Sequence, residues 1–278
     1  MKRAICIAAH GSCHPRAAAA FETFAARTAA LYPHDAVRLV FTATSCHGQG
    51  HGKTGACGPG EPLEDVLRAL REDGVTAVAV LSLHVAPGKE FSSIRKSFER
   101  LEKDGAGFAR TSVAGPLLAG PERMEEVAAA ILAALPAGRA LGEAVALMGH
   151  GARQPAQGYY DLLEETLRAK DANIFFATLE GREKAPGEMG RAGRGVARIR
   201  DELAAGGLKT VWLAPFLTVA GAHAHHDLAG DGAASWKTVL EQSGAVCKPD
   251  LAGLLEREPF ITLWLRRLDD ALAQLDLP

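Results

Sequence analysis

Short apolar runs alternate with longer amphipathic segments along the chain, and this alternation predicts its elements. An apolar run bounded by Gly, Pro and polar turns is typical of a strand buried on both faces. Such runs predict strands at residues 3–9, 36–43, 77–83, 112–118, 144–149, 173–179 and 210–217. Apolar residues at helical spacing, with Pro near several starts, predict the intervening helices. These are residues 16–31, 62–73, 91–103, 121–135, 158–170, 191–204 and 259–274.

The second half of the chain repeats the first. The stretch 144–152 mirrors 4–12, so that His150 corresponds to His10. The stretch 210–222 mirrors 77–88, which places His223 near the position of Lys89. Strand and helix alternate in both halves, and the same order of elements therefore appears twice.

This repeat predicts an α/β protein of two similar Rossmann-like domains, each with a parallel sheet flanked by helices. We expect an active-site cleft between them, because ligands bind at the carboxyl ends of parallel strands. The linker 136–138 divides an N-terminal domain at 1–137 from a C-terminal domain at 138–278, which carries the candidate ligands described below. The sequence leaves open whether the last helix packs on the N-terminal domain.

Charge and cysteine content narrow the function classes. The formal net charge is −2, which gives no general attraction to nucleic acid or to a membrane surface. No apolar run is long enough to span a membrane, and the N-terminal run is too short for a signal peptide. The five cysteines are scattered without a C-x-x-C pair, as expected for reduced thiols in the cytoplasm. We therefore expect a cytoplasmic protein with no nucleic-acid or membrane partner.

Three candidate metal ligands each follow a predicted strand of the second half. His150 lies between two glycines, Glu180 follows strand 173–179, and His223 opens the His-rich stretch 223–227. Two imidazoles and a carboxylate suit a divalent transition metal with open coordination positions. Alone, each residue has a simpler explanation: a turn, a helix cap or a polar surface loop. Their convergence at one sheet edge favours a metal site.

Nucleotide binding is not supported. The glycines around His150 lack the G-x-G-x-x-G fingerprint, and those before Lys53 and Thr54 do not lead into a helix, as a phosphate loop requires. We therefore expect no nucleotide cofactor, which argues against a nucleotide-dependent oxidoreductase.

Several motifs together resemble one family. They are residues 148–152 (Met-Gly-His-Gly-Ala), Glu180, 217–224 (Leu-Thr-Val-Ala-Gly-Ala-His-Ala), 227–231, 235–237 (Ser-Trp-Lys) and 81–84. They resemble the anaerobic-type sirohydrochlorin cobaltochelatases, class II chelatases related in fold to ferrochelatase, over nearly the whole chain. The resemblance implies the chelatase fold and a metal held by His150, Glu180 and His223, with His150 and Glu180 as the catalytic residues.

The resemblance also implies a reaction. Co²⁺ is inserted into the tetrapyrrole sirohydrochlorin without ATP, and two pyrrolic protons are released on the anaerobic route to cobalamin. Imidazole and carboxylate bind Fe²⁺ as well, so a sirohydrochlorin ferrochelatase remains the nearest alternative. A non-catalytic metal carrier is the alternative from another class. A homo-oligomer is compatible with the sequence but not indicated by it.

Candidate substrate contacts come from residues beside the strand ends. They are His10, Ser12, His84, Lys89 and Arg153. The cationic ones would meet substrate carboxylates, and further candidates of this kind are Arg16, Arg182 and Lys237. A solvated surface charge is the simpler explanation for any one of them, and His84 is equally explained as a satisfied strand-end histidine.

The sequence departs from the family pattern in three places. The first strand ends in His10-Gly-Ser12, where the family more often has Gly-Thr-Ser, and His10 is thus a candidate additional ligand. The loop 45–60 has no recognisable counterpart in the family. One hypothesis is that it gathers or senses metal through Cys46, His47, His51 and Cys57. The alternative is that the loop is a flexible lid. His225 and His226 also have no counterpart in the family pattern. They are either secondary metal contacts or exposed polar residues.

Overall fold

The computed structural model describes residues 2–12, 14–42, 61–153, 155–179 and 191–277. Its contacts divide the chain into two compact units. Unit 1 comprises residues 1–119 with 260–278, and unit 2 comprises residues 120–259. Within the described ranges, no helix has the length and apolar character that a membrane crossing needs.

Unit 1 is built on a parallel sheet of five strands in the order β3-β2-β1-β4-β5. The strands are β1 (Arg3–Ala9), β2 (Ala36–Phe41), β3 (Glu61–Pro62), β4 (Ala77–Ser82) and β5 (Arg110–Ala114). Strand β4 is buried along its whole length, as is all of β1 except its first residue. Apolar residues on both faces explain why these central strands are continuous hydrophobic runs.

Helices cover this sheet and include the last one of the chain. They are α1 (Pro15–Leu31), α2 (Leu63–Glu72), α3 (Lys89–Lys103) and α8 (Glu258–Asp276). Trp264 of α8 packs edge-on against Phe24 of α1, with ring centroids 6.4 Å apart. The buried Arg267 of α8 donates hydrogen bonds to the carbonyl oxygens of Pro116 and Leu117, at 2.6 and 3.1 Å.

Unit 2 has a parallel sheet of four strands in the order β7-β6-β8-β9. The strands are β6 (Ala144–Gly149), β7 (Ile174–Thr178), β8 (Thr210–Phe216) and β9 (Val246–Pro249). The helices are α4 (Met124–Ala133), α5 (Gln157–Lys170), α6 (Arg191–Ala205) and α7 (Trp236–Gln242), with a π-helical turn at His223–Leu228. Its core groups Met148, Phe175 and Leu213 of the sheet with Val196 of α6 and Trp236 of α7.

The α/β architecture with two parallel sheets flanked by helices is confirmed. The strand predicted at 112–118 is in fact Arg110–Ala114. Pro116 has no N–H for a ladder, and Leu117 and Leu118 bond instead to the carbonyls of His84 and Val85. These two leucines are buried but are not part of the sheet.

The division between the compact units falls between Ala119 and Gly120, whereas the sequence suggests 137 and 138. Helix α4 packs against α5 and is grouped with unit 2. Residues 260–278 are grouped with unit 1, the arrangement that the sequence left open. The predicted division into domains at 1–137 and 138–278 stays a prediction, as does the cleft.

Candidate metal centre

Three parallel strands of unit 2 end at the same edge of the sheet. The central strand β6 leads directly into His150, its neighbour β7 leads into Leu179, and β8 leads through a short loop to His223. The amide of Leu179 donates to the carbonyl of Gly149 at 3.0 Å, which holds the ends of β6 and β7 together. Residues distant along the chain are thereby gathered at the carboxyl edge, where α/β proteins bind ligands.

The imidazoles of His150 and His223 lie next to each other. Their ring centroids are 5.2 Å apart and the ring planes are inclined by 72°. Both side chains are exposed rather than buried in the core. Two neighbouring exposed imidazoles can offer nitrogen lone pairs to the same divalent ion.

Asp227 orients the ring of His223. The Nδ1 atom of His223 is 2.6 Å from the Oδ2 atom of Asp227. A carboxylate can only accept a hydrogen bond, so Nδ1 carries the proton and Nε2 keeps its lone pair. A carboxylate on the far nitrogen is a common way to fix the orientation and tautomer of a metal-binding histidine. Sequence reasoning noted Asp227 only as part of a motif.

Both His223 and Asp227 lie in the π-helical turn. The turn is closed by the wider hydrogen bond from the amide of Ala229 to the carbonyl of Ala224, at 3.2 Å. Gly230 packs against it so closely that a Cβ atom there would lie 2.5 Å from the carbonyl oxygen of His226. π-Helical turns occur frequently at functional sites, and this one places the two interacting side chains four positions apart.

Residues of α5 contact the loop that carries His150 and support its backbone. Gly151 has a φ of +90°, a conformation that favours glycine. A Cβ atom at Gly149 would lie 3.0 Å from Phe176 and 3.1 Å from Tyr160, so only glycine fits without a shift. The buried Gln157 side chain accepts a hydrogen bond from the amide of Ala152 at 3.0 Å.

Glu180, the third predicted ligand, lies outside the described residues, which end at Leu179 before the gap. In the part of the chain that the structure describes, no group of three or more His, Cys, Asp or Glu side chains could hold a metal ion. The structure thus brings together two of the three predicted ligands, and Glu180 stays a prediction.

The carboxyl edge of the unit 1 sheet has the same backbone pattern. The amide of Thr42 donates to the carbonyl of Ala9 at 2.8 Å, as Leu179 does to Gly149 in unit 2. His10 follows β1, is exposed, and precedes Gly11, which has a φ of +98°. The internal repeat read from the sequence is therefore present at this level of detail.

His84 uses both ring nitrogens within unit 1. Its Nδ1 is 2.9 Å from the hydroxyl of Ser82, and its Nε2 is 2.9 Å from the hydroxyl of Thr42. The Thr42 hydroxyl itself donates to Ala9, so it accepts from Nε2. Burial lowers the pKa of His84 to about 4; His10 adds to this and Glu90 opposes it. These contacts fit the satisfied strand-end histidine that the sequence left open.

The other predicted contacts remain at the surface. Lys89 opens α3 and is exposed, as is Arg153 in the loop before α5. The partly buried hydroxyl of Ser12 accepts a hydrogen bond from the amide of His14 at 3.2 Å. Their role in substrate binding stays a prediction.

The remaining candidate residues from the sequence pair with carboxylates, lie at or near the surface, or fall outside the described residues. Lys237 pairs with Asp231 at 3.1 Å and Glu241 at 3.9 Å, and is thus already neutralised by carboxylates. Arg16 and His226 are exposed, and His225 is partly buried. Outside the described residues lie Arg182 and the loop candidates Cys46, His47, His51 and Cys57.

Comparison with known proteins places the chain in a family. The family model described as cobalt chelatase (CbiK) matches residues 3–273. The chain belongs to the CbiK cobalt chelatase family. A curated member, the sirohydrochlorin cobaltochelatase CbiKC of Nitratidesulfovibrio vulgaris, is 37% identical over 278 residues, covering 99% of this chain and 92% of that protein.

Further relatives support the same family and fold. The sirohydrochlorin cobaltochelatase of Salmonella typhimurium is 31% identical over 211 residues, covering 76% of this chain and 74% of that protein. The sirohydrochlorin chelatase SirB of Bacillus subtilis subspecies spizizenii, solved in complex with cobalt, matches with a TM-score of 0.61. It covers 100% of both chains at 14% identity, so it is evidence for the fold alone.

Proposed function

We propose that this protein is a sirohydrochlorin cobaltochelatase, which inserts Co²⁺ into sirohydrochlorin with the release of two protons in anaerobic cobalamin biosynthesis. The structural observation that carries the proposal is the adjacent pair His150 and His223 at the carboxyl edge of the unit 2 sheet. The names and shared motifs of the cobaltochelatase relatives support the same reaction. No nucleotide takes part in it.

The two histidines act first as metal ligands and then as proton acceptors. Neutral imidazole binds Co²⁺, and an imidazole that has released its metal can accept a pyrrolic proton near neutral pH. For His223 the nitrogen that faces the ion is Nε2, because the Nδ1 proton is engaged by Asp227 at 2.6 Å.

Glu180 completes the proposed set as ligand and base. It comes one residue after Leu179, whose amide bonds to the residue before His150 at 3.0 Å. A carboxylate beside a divalent cation stays ionised, because the positive charge favours its charged form. After the cation has moved into the macrocycle, that influence is lost and the carboxylate becomes a better proton acceptor.

Substrate binding energy comes from cations that meet the carboxylates of sirohydrochlorin. Exposed Arg153 follows the His150 loop and can bind a carboxylate bidentately, whereas exposed Lys89 can bind only as a point charge. We also propose contacts from His10, Ser12 and His84, although both nitrogens of His84 already have partners. Binding energy of this kind can bend the macrocycle so that its nitrogen lone pairs face the metal.

The decisive experiment replaces the two histidines separately. We expect His150→Ala and His223→Ala each to abolish Co²⁺ insertion, followed by the absorbance change of sirohydrochlorin, while the thermal unfolding midpoint remains near that of the wild type. Loss of insertion is expected because each variant removes one of the two adjacent imidazoles. His34→Ala, which removes an exposed histidine between α1 and β2, is the matched control. Near-wild-type rates in either site variant would contradict the proposal.

A comparison of metals separates the alternatives. The insertion rates for Co²⁺ and Fe²⁺, measured side by side under anaerobic conditions, distinguish a cobaltochelatase from a sirohydrochlorin ferrochelatase. A shift in the sirohydrochlorin spectrum on mixing with metal-free protein is expected for a chelatase, and its absence is expected for a metal carrier. We further propose that the protein acts in the cytoplasm, without nucleic-acid or membrane partners.

A further inference from the structure

We infer that Gln157 is a positioning residue for His150. Its side chain links the loop that carries His150 to the end of the strand that leads to Glu180. The inference rests on the proposed function in treating His150 as a metal ligand. Gln157 lies outside the motifs quoted for the family, and the hydrogen bonds of its side chain go to Ala152 and Thr178 rather than to the imidazole.

The carboxamide of Gln157 bridges two segments. Its Oε1 atom accepts a hydrogen bond from the amide of Ala152 at 3.0 Å, and its Nε2 atom donates to the hydroxyl of Thr178 at 3.2 Å. An amide side chain carries an acceptor and a donor on one rigid group, so one residue can hold both segments in register. Only 3% of Gln157 is exposed, so water does not replace these bonds readily.

A second residue of α5 supports the same loop. The buried hydroxyl of Tyr160 interacts with the backbone of Gly151; burial raises the pKa of Tyr160, and this hydrogen bond opposes the rise. Its ring fills the space beside Gly149, where a Cβ atom would lie 3.1 Å away. The backbone around His150 is therefore held at three points, Gly149, Gly151 and Ala152, while the imidazole itself stays exposed.

This arrangement has a consequence for metal binding. A metal ligand must hold its nitrogen within a few tenths of an ångström of the productive position, and residues behind the ligand provide that precision. Loss of the Gln157 bridge frees the amide of Ala152 and removes one of the links between the His150 loop and the end of β7. The bond from Leu179 to Gly149 remains, but the His150 loop beyond Gly149 is held less tightly, which weakens Co²⁺ binding before substrate is present.

The experiment measures Co²⁺ affinity of the full-length protein by competition with a chelating dye. Gln157→Met keeps the length of the side chain but removes both hydrogen bonds, and we expect roughly tenfold weaker Co²⁺ binding. Gln157→Glu keeps the acceptor for the Ala152 amide but loses the donor to Thr178, and we expect an affinity between those of Gln157→Met and the wild type. Thr178→Val cuts the bridge from the strand side and should act in the same direction without adding fully to Gln157→Met.

Gln274→Met is a control for the same substitution made away from the candidate site. Gln274 accepts a hydrogen bond from Ser112 at 2.8 Å and so links α8 to β5 in unit 1. Because Gln274 is exposed and makes this single bond, its loss is expected to lower stability only slightly, while Co²⁺ affinity and sirohydrochlorin binding stay unchanged. Wild-type Co²⁺ affinity in Gln157→Met, or an affinity in folded Gln157→Glu no better than that of Gln157→Met, would overturn the inference.

The same measurements distinguish failure of the proposed function from failure of the positioning role of Gln157. If the wild type binds Co²⁺ through His150 but inserts none into sirohydrochlorin, the proposed function is wrong, whereas weaker Co²⁺ binding by Gln157→Met still supports the positioning role. If His150→Ala binds Co²⁺ as tightly as the wild type, the positioning role is overturned too.

Discussion

His84 and His223 follow corresponding strands, β4 and β8, but their nitrogens have different partners. In His84 both nitrogens are bonded to hydroxyl groups, at 2.9 Å each, and the ring is partly buried. In His223 one nitrogen is engaged by Asp227 and the side chain is 49% exposed. Among the described residues only Asp227 bonds to the ring of His223, through Nδ1, so Nε2 can serve a metal ion, and this difference from His84 is not visible in the sequence.

The neutral state of His84 predicts a specific pH dependence of stability. Its pKa is about 4 in the folded protein against an ordinary value of 6.5. The unfolded chain therefore binds a proton between these values that the folded protein does not. The stability due to this histidine is complete above pH 6.5 and decreases as the pH falls towards 4, by about 3 kcal/mol in total.

The test compares urea unfolding at pH 7 and pH 5. We expect the free energy of unfolding of the wild type to fall by about 2 kcal/mol more over this interval than that of His84→Gln, which cannot take up the proton. His34→Gln, at an exposed position, should retain the wild-type pH dependence. An identical dependence in the wild type and His84→Gln would contradict the assignment of a neutral buried ring.

At the scale of elements, the π-helical turn depends on close backbone packing. A Cβ atom at Gly230 would lie 2.5 Å from the carbonyl oxygen of His226 and 2.9 Å from that of His225. We expect Gly230→Ala to lower the free energy of unfolding by about 1–3 kcal/mol and to weaken Co²⁺ binding, because His223 and Asp227 share this turn. Both quantities are measured by denaturant unfolding and dye competition.

Gly232→Ala is the control for this prediction. A Cβ atom at Gly232 would have no neighbour within 4 Å, so this substitution in the same segment should change neither quantity. Equal effects of the two substitutions would mean that the packing of Gly230 against the turn is not what fixes the histidine.

Elements with strong apolar patterning were predictable, and those set by packing were not. The strand predicted at 3–9 agrees with β1, and the helix predicted at 191–204 agrees with α6 to one residue. Two elements were not predictable from the apolar pattern: β9 (Val246–Pro249), an edge strand with no fully buried residue, and the short helix α7. The π-helical turn is also absent from the predicted elements, since its width depends on Gly230 and not on a periodic pattern.

The candidate site, like the fold, could be predicted only where the local sequence pattern indicates it. Histidines directly after apolar strands were visible in the sequence, and the structure brings His150 and His223 together. The bridge by Gln157 was not visible, because its two bonds reach Ala152 and Thr178 from a helix with ordinary polar composition. Such contacts depend on tertiary packing, and nothing in local spacing indicates them.

At the scale of the whole molecule, α8 joins the far end of the sequence to unit 1. Arg267 is 6% exposed and donates to the carbonyls of Pro116 and Leu117 just beyond β5. We expect Arg267→Met to lower the free energy of unfolding by about 2–4 kcal/mol, because two buried acceptors lose a charged donor. Hydrogen exchange should show the loss of protection first in β4 and β5 of unit 1.

The neighbouring Arg266 provides the control. It lies on the same helix with an exposed side chain, so Arg266→Met is expected to change stability by less than about 0.5 kcal/mol. If exchange in Arg267→Met accelerated first in β6 and β8 instead, the grouping of α8 with unit 1 would be wrong.

The place of α8 also has a consequence for synthesis on the ribosome. Unit 2 is one continuous stretch, residues 120–259, and all of its strands and helices are available once that stretch has emerged. Unit 1 begins earlier but lacks the partner of Phe24 and of the segment after β5 until residues 260–277 are translated. The part of the protein made first is therefore the last to be completed, and its nascent strands must avoid aggregation during the delay.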